Sequence, residues 1–206
     1  MSYIKNVNIE LQKNITRIDL VNFFIKKYKF KDYLEIGCYR DFLFSKVEVK
    51  NKVGVDPLCG GTIRLKSDNF FLKNKLFFDI IFIDGLHIYN QVRKDLENSL
   101  NCLNKNGIIM LHDCLPQNIF NQSVPRVDFG TWNGDVWKLI FQISEISDIT
   151  FKVLTIDHGI CIIKKNANKN ISLERSKKYQ NLKFKYYVDN FKEKFNLVKF
   201  TEIKDF

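Results

Sequence analysis

The chain has 206 residues, 45% hydrophobic and 14% aromatic, enough for one domain with its own core. Its net charge is +10, and residues 164–206 hold 12 Lys/Arg against 5 Asp/Glu, an excess that reads as solvated surface rather than a dedicated nucleic-acid face. No apolar run reaches the roughly 20 residues of a membrane span, the N-terminal MSYIKNVNIELQKN has no apolar leader core, and five scattered cysteines without a CxxC pair exclude a disulfide framework or zinc site and predict reduced thiols in a cytoplasmic protein.

In residues 18–28, apolar side chains at 20, 21, 24, 25 and 28 have helical spacing. YLEI at 33–36 reads as a strand running into Gly37, and KVGV at 52–55 as a second ending at Asp56-Pro57. After a Gly60-Gly61 turn, TIRL is a candidate short strand, and Ser67 and Asp68 are candidate caps of the next helix. FFDIIFID at 77–84 is almost wholly apolar, as expected of a central strand covered on both faces. Val92, Leu96, Leu100 and Leu103 form one helical stripe, closed by Asn106-Gly107. GIIMLHD at 107–113 is another buried strand, and residues 135–146 a further helix. TFKVLTI at 150–156 and GICII at 159–163 are joined by Asp157-His158 alone, which demands an antiparallel hairpin.

Strands alternating with helices predict a doubly wound, mostly parallel, seven-stranded α/β sheet with a C-terminal antiparallel hairpin. The domain is expected to span 1–165. Residues 166–206 are expected to form a basic, aromatic-containing, partly helical appendage, which is also a candidate surface for a homodimer.

Such sheets bind ligands at the carboxyl ends of their strands. Read in that row, the chain offers Glu35, Gly37 and Cys38, then Asp56, then Asp84, Gly85 and His87, then His112 and Asp113. One His or Asp at a strand end is ordinarily a helix cap; four such groups at two adjacent strand ends point to a site. A glycine after the first strand admits close backbone approach, and a carboxylate ending the second can accept both hydroxyl protons of a ribose.

The ordered set YLEIG, VGVDP, FDIIFIDGLHIY and GIIMLHDC resembles the class I S-adenosylmethionine (SAM)-dependent methyltransferases, and within them the methyltransferase 24-type branch that acts on sugars and related natural products. The resemblance covers about residues 30–165 and is strongest from Phe78 to Cys114. It implies that Glu35, Gly37 and Cys38 line the methionine part of SAM, that Asp56 holds the ribose, and that Ser67 and Asp68 lie near the adenine. It further implies a divalent cation such as Mg²⁺ held by Asp84, His112 and Asp113, with His87 as the base and Asp84 serving cofactor and catalysis alike. The reaction expected is O-methylation of a small, sugar-like acceptor. A SAM-fold binding module without catalysis, and RNA methylation, are the alternatives.

Two departures stand out. Asp41 occupies the position of the family's second loop glycine, which predicts a different loop at Tyr39–Asp41. His112 replaces a carboxylate, so the set suits Mn²⁺ or Fe²⁺ as well, or His112 simply hydrogen-bonds. In RVDFGTWNGDVW at 126–137, Arg126, Trp132 and Asn133 are expected to contact the acceptor, Asp135 to cap a helix and Trp137 to pack in the core. His158 is read as a turn residue.

Overall fold

The computed structural model describes residues 6–127, 130–166 and 170–206. Its sheet runs β1 (Asp32–Ile36), β2 (Asn51–Val55), β3 (Phe78–Ile83), β4 (Leu103–Leu111), β5 (Ile149–Leu154), β6 (Ile160–Lys165) and β7 (Leu197–Val198). Their spatial order is β2-β1-β3-β4-β6-β5-β7. β6 alone runs antiparallel, to β4 on one side and β5 on the other; the remaining pairs are parallel. The order reverses between β1 and β3, where a doubly wound sheet opens its ligand crevice.

The near-continuous apolar runs have a direct cause. Side chains alternate across a strand, and both faces are covered. Ile81 and Ile83 enter a core on one side with Leu96, Leu100, Trp137 and Tyr187. Ile80 and Phe82 enter the other with Leu20, Phe24, Leu43 and Phe206. Ile80 and Ile81 are both fully buried, each such side chain contributing about 1.5–3 kcal/mol by leaving water.

Helices α1 (Arg17–Tyr28), α2 (Ser67–Lys73), α3 (Tyr89–Asn101), α4 (Trp137–Ile143), α5 (Lys177–Gln180) and α6 (Phe184–Lys194) flank the sheet. α1 begins at a capping box in which Thr16 and Asp19 satisfy each other's backbone N–H groups. No helix among the described residues is long and apolar enough to cross a membrane.

Four local expectations change. TIRL makes only an isolated bridge, Val55 to Ile63. The seventh strand instead comes from Leu197–Val198, which pairs with β5. α3 ends at Asn101 rather than at Asn106-Gly107; Asn106, at φ 64°, sits inside β4 where the register with β3 shifts. Gly107 is needed there because a Cβ would lie 2.8 Å from the Asp79 carbonyl oxygen. α2 starts after Lys66, and neither Ser67 nor Asp68 caps it. The segment beyond 166 adds α5, α6 and the edge strand, and buries Leu173, Tyr187, Phe191 and Phe195 in the α4 layer. Trp137 is fully buried against Phe141 and Tyr187.

Candidate active site

A cavity of about 830 Å³ opens at the carboxyl edge of the sheet. Glu35, Gly37, Cys38, Asp56, Ser67, Asp68, Asp84, His87, His112, Asp113 and Trp132 all line it. The volume lies within the roughly 300–1,000 Å³ typical of ligand and cofactor sites.

On the β1–β2 side, Gly37 holds φ +87°, and a Cβ there would meet the Asp84 carbonyl. The glycine thus serves the contact between neighbouring strand ends. Asp56 is anchored by backbone N–H donors: its Oδ1 accepts from Leu58 (2.7 Å) and Cys59 (3.0 Å), its Oδ2 from Tyr39 (3.1 Å). Burial outweighs the Tyr33 hydroxyl bond at Glu35 and lifts its carboxyl to about 8, so it is mostly neutral at pH 7. Cys38 is buried and its thiol pushed up, first by desolvation and then by the Glu35 charge. Ser67 Oγ and Asp68 Oδ1 both accept from Gln91 Nε2, at 3.2 and 2.9 Å. The loop with Asp41 does differ. Arg40 and Asp41 take φ 57° and 60°, and Asp41 Oδ1 accepts from the Gly61 N–H at 2.6 Å, tying the loop to the turn after β2.

On the β3–β4 side the groups interlock. His87 Nδ1 donates to the Trp132 carbonyl at 3.0 Å, and Nε2 stands 3.2 Å from Asp84 Oδ1. Asp113 Oδ2 also lies 3.2 Å from Nδ1. Burial would lower the His87 pKa, but the Asp84 hydrogen bond and the Asp113 and Asp84 charges outweigh it and raise it above 6.5. His112 is nearly fully buried; its Nδ1 lies 3.1 Å from Asp84 Oδ1 and 3.0 Å from Asp113 Oδ2. Burial opposes its charge too, yet Asp113 and Asp84 hold it well above the ordinary histidine value. Desolvation alone would raise Asp84; the His112 charge and hydrogen bond, His87 and Arg17 keep it well below the usual carboxylate range.

Two residues of this cluster are not foreseen in the strand-end row. Arg17, the first residue of α1, sends Nη1 to Asp84 Oδ2 at 2.5 Å and clasps Asp157 through Nε (2.6 Å) and Nη2 (3.0 Å). Asp157 stands in the β5–β6 turn, with its Oδ1 3.5 Å from His112 Nε2. β5 runs parallel to β1–β4, so its turn reaches the same edge of the sheet; that direction is the signal that could have found it. His158 adjoins Asp157 in the turn at φ 65° and also lines the cavity.

The expected acceptor contacts divide. Trp132 lines the cavity and stacks on His87, with centroids 5.2 Å apart. Asn133 is instead buried behind the wall, where Nδ2 donates to Asp113 Oδ1 at 2.9 Å. Arg126 lies outside the lining; its Nη2 donates to the Gly130 carbonyl at 2.6 Å. Asp128 and Phe129 fall outside the described residues. Asp135 accepts from the Tyr89 N–H at 2.6 Å, so it tethers the start of α3. Of the residues expected to hold a metal, Asp84 and Asp113 lie beside His87. The donor atoms that lie within 4.8 Å of one another belong to Asp84, His87 and Asp113, while His112 spends Nδ1 on the two carboxylates.

The sheet order β2-β1-β3-β4-β6-β5-β7 is that of the class I methyltransferase fold, a Rossmann-like α/β sheet. Residues 58–114 match a family model described as a methyltransferase domain. Three solved structures share the fold. The S-adenosylhomocysteine (SAH)-bound methyltransferase PaMTH1 of Podospora anserina has 16% identity and a TM-score of 0.52, over 72% of this chain and 77% of that one. The O-methyltransferase TomG of Streptomyces achromogenes, involved in tomaymycin synthesis and bound to SAM, has 11% identity and a TM-score of 0.53, over 73% and 80%. The SAH-bound O-methyltransferase of Bacillus cereus has 11% identity and a TM-score of 0.51, over 74% and 83%. A search of curated proteins finds no match.

Proposed function

We propose that this methyltransferase moves the methyl group of SAM to a hydroxyl of a small, sugar-like molecule, with His87 as the proton acceptor. The observation that carries the reading is the position of His87, held between Asp84 and Asp113 in the wall of the strand-end cavity. The Trp132 carbonyl keeps the proton on Nδ1, so Nε2 is the atom that exchanges. Neutral Nε2 takes the hydroxyl proton as the oxygen attacks the methyl carbon; the carbon–sulfur bond breaks and SAH leaves uncharged. Asp84 and Asp113 stabilise the imidazolium that results. Orientation of the two reactants supplies much of the rate, and the base roughly 10²–10⁴-fold more.

Asp56 is the ribose ligand in this reading, Glu35, Gly37 and Cys38 border the methionine portion, and Ser67 and Asp68 the adenine. Trp132, beside His87 in the cavity lining, is the aromatic group that would pack on a sugar ring. Five free thiols, four of them buried, favour a cytoplasmic setting.

A divalent cation is the second reading, favoured by the grouping of Asp84, His87 and Asp113. Such an ion would lower the pKa of a bound hydroxyl. The residues do not fit it as they stand. Both oxygens of Asp84 and both of Asp113 already face N–H donors from Arg17, His87, His112 and Asn133, and His87 cannot be ligand and base together. The proton transfer above therefore uses the side chains alone. Its test is His87→Gln: SAH affinity should persist while methyl transfer falls away, and unchanged turnover would remove His87 from the reaction.

A further inference from the structure

Asp84 is where a hydroxyl-activating cation would be held, yet a cation already sits on it. Arg17 is anchored at three points on Asp157: the backbone N–H reaches Oδ2 at 3.2 Å, Nε the same oxygen at 2.6 Å, and Nη2 the other at 3.0 Å. Those bonds aim Nη1 at Asp84 Oδ2, 2.5 Å away. The placement is built into the fold. Arg17 opens α1 directly after the Thr16 cap, and Asp157 is fixed by a turn whose residues at 157 and 158 both hold positive φ. Arg17 is only 17% exposed at its side chain, and it lines the cavity. A planar fork with five N–H bonds fits two carboxylates at once; three of its bonds are spent on Asp84 and Asp157.

We infer that Arg17 is the resident cation of this site, a positioning residue that occupies Asp84 in place of a divalent metal and makes methyl transfer metal-independent. The inference rests on the O-methyl-transfer reading for its meaning, while its test does not. A metal entering between Asp84, His87 and Asp113 would stand close to a fixed positive charge that shares one of its ligands. At such range like charges repel strongly even under partial screening. The guanidinium also holds the carboxylate plane, so Asp84 cannot turn Oδ2 toward an ion without breaking the Arg17 bond.

The probe is Mn²⁺ alone, titrated by electron paramagnetic resonance into full-length protein, with SAH binding measured on the same samples. The wild type should show no saturable Mn²⁺ site. Arg17→Met should gain one, roughly tenfold tighter or more than any wild-type binding, and Arg17→Met/Asp84→Asn should lose it again. Arg17→Lys, which keeps the charge, should exclude Mn²⁺ like the wild type. Thermal melting of the wild type with and without Mn²⁺ needs no variant and should give the same midpoint. A saturable wild-type site, a midpoint raised by Mn²⁺, or a folded Arg17→Met that gains nothing overturns the inference. Loss of SAH binding in the wild type would instead sink the methyltransferase reading and leave the metal result standing.

Discussion

The backbone of Gly37 lies so close to Asp84 that a Cβ on the glycine would stand 2.2 Å from the Asp84 carbonyl oxygen. The two strand ends meet there. Gly37→Ala adds this clash to an unfavourable φ of +87°. It should cost roughly 3 kcal/mol or more, read as a lower denaturant midpoint. An unchanged midpoint would show that the two strand ends can part freely.

With His87 as the proposed base, turnover should depend on pH. Its pKa is raised above 6.5 in the folded protein, so the neutral base accumulates at higher pH than it would for an ordinary histidine. The rate at saturating SAM should climb with pH through that raised value, and His87→Gln should be at least about 100-fold slower with the limb gone. The same shift stabilises the fold. Its contribution is full below 6.5 and fades as pH rises through the folded-state value. A rate limb centred at or below the ordinary histidine value would contradict the placement between two carboxylates.

Glu35 gives stability the same direction of pH dependence, from burial rather than from neighbouring charges. Burial raises it from 4.5 to about 8, so the folded protein holds a proton that the unfolded chain has released. Stability should therefore fall as pH rises from about 4.5 to about 8, by an amount on the order of a few kcal/mol, and level off above. Glu35→Gln keeps an acceptor for the Tyr33 hydroxyl and has no proton to lose. Denaturant midpoints across that range should be flatter for the variant than for the wild type; parallel curves would put the charge elsewhere.

Asn133 fixes Asp113 from behind the cavity wall. Asn133→Ala leaves a buried carboxylate oxygen short of a donor, at a cost of about 1–3 kcal/mol. Turnover should drop while SAH affinity holds, since Asn133 does not line the cavity. Calorimetry beside a rate assay separates the two; an equal loss in both would mean that the residue supports the whole pocket.

Much of this was legible along the chain, for a physical reason. β3 and β4 are apolar on both faces because both faces are covered, and their ends then place Asp84, His87, His112 and Asp113 in one row. Asp56 follows from β2 in the same way. What escaped depends on distance or on brevity. Arg17 meets Asp157 across 140 residues, and no local pattern announces that pairing. Leu197–Val198 is too short a strand to have a period. Asn133 looked like a cavity residue because its neighbour Trp132 is one, yet successive side chains in that loop point to opposite sides of the wall. The Asn106-Gly107 pair has the chemistry of a helix stop and serves as a strand irregularity, a choice made by the nearby Asp79 carbonyl.

The most direct test of the account is a calorimetric titration of the purified protein with SAH, repeated on Asp56→Ala and His87→Gln. The account predicts saturable binding by the wild type, loss of binding in Asp56→Ala, and full binding in His87→Gln. Absence of SAH binding by a folded wild type, or equal binding by Asp56→Ala, would contradict it.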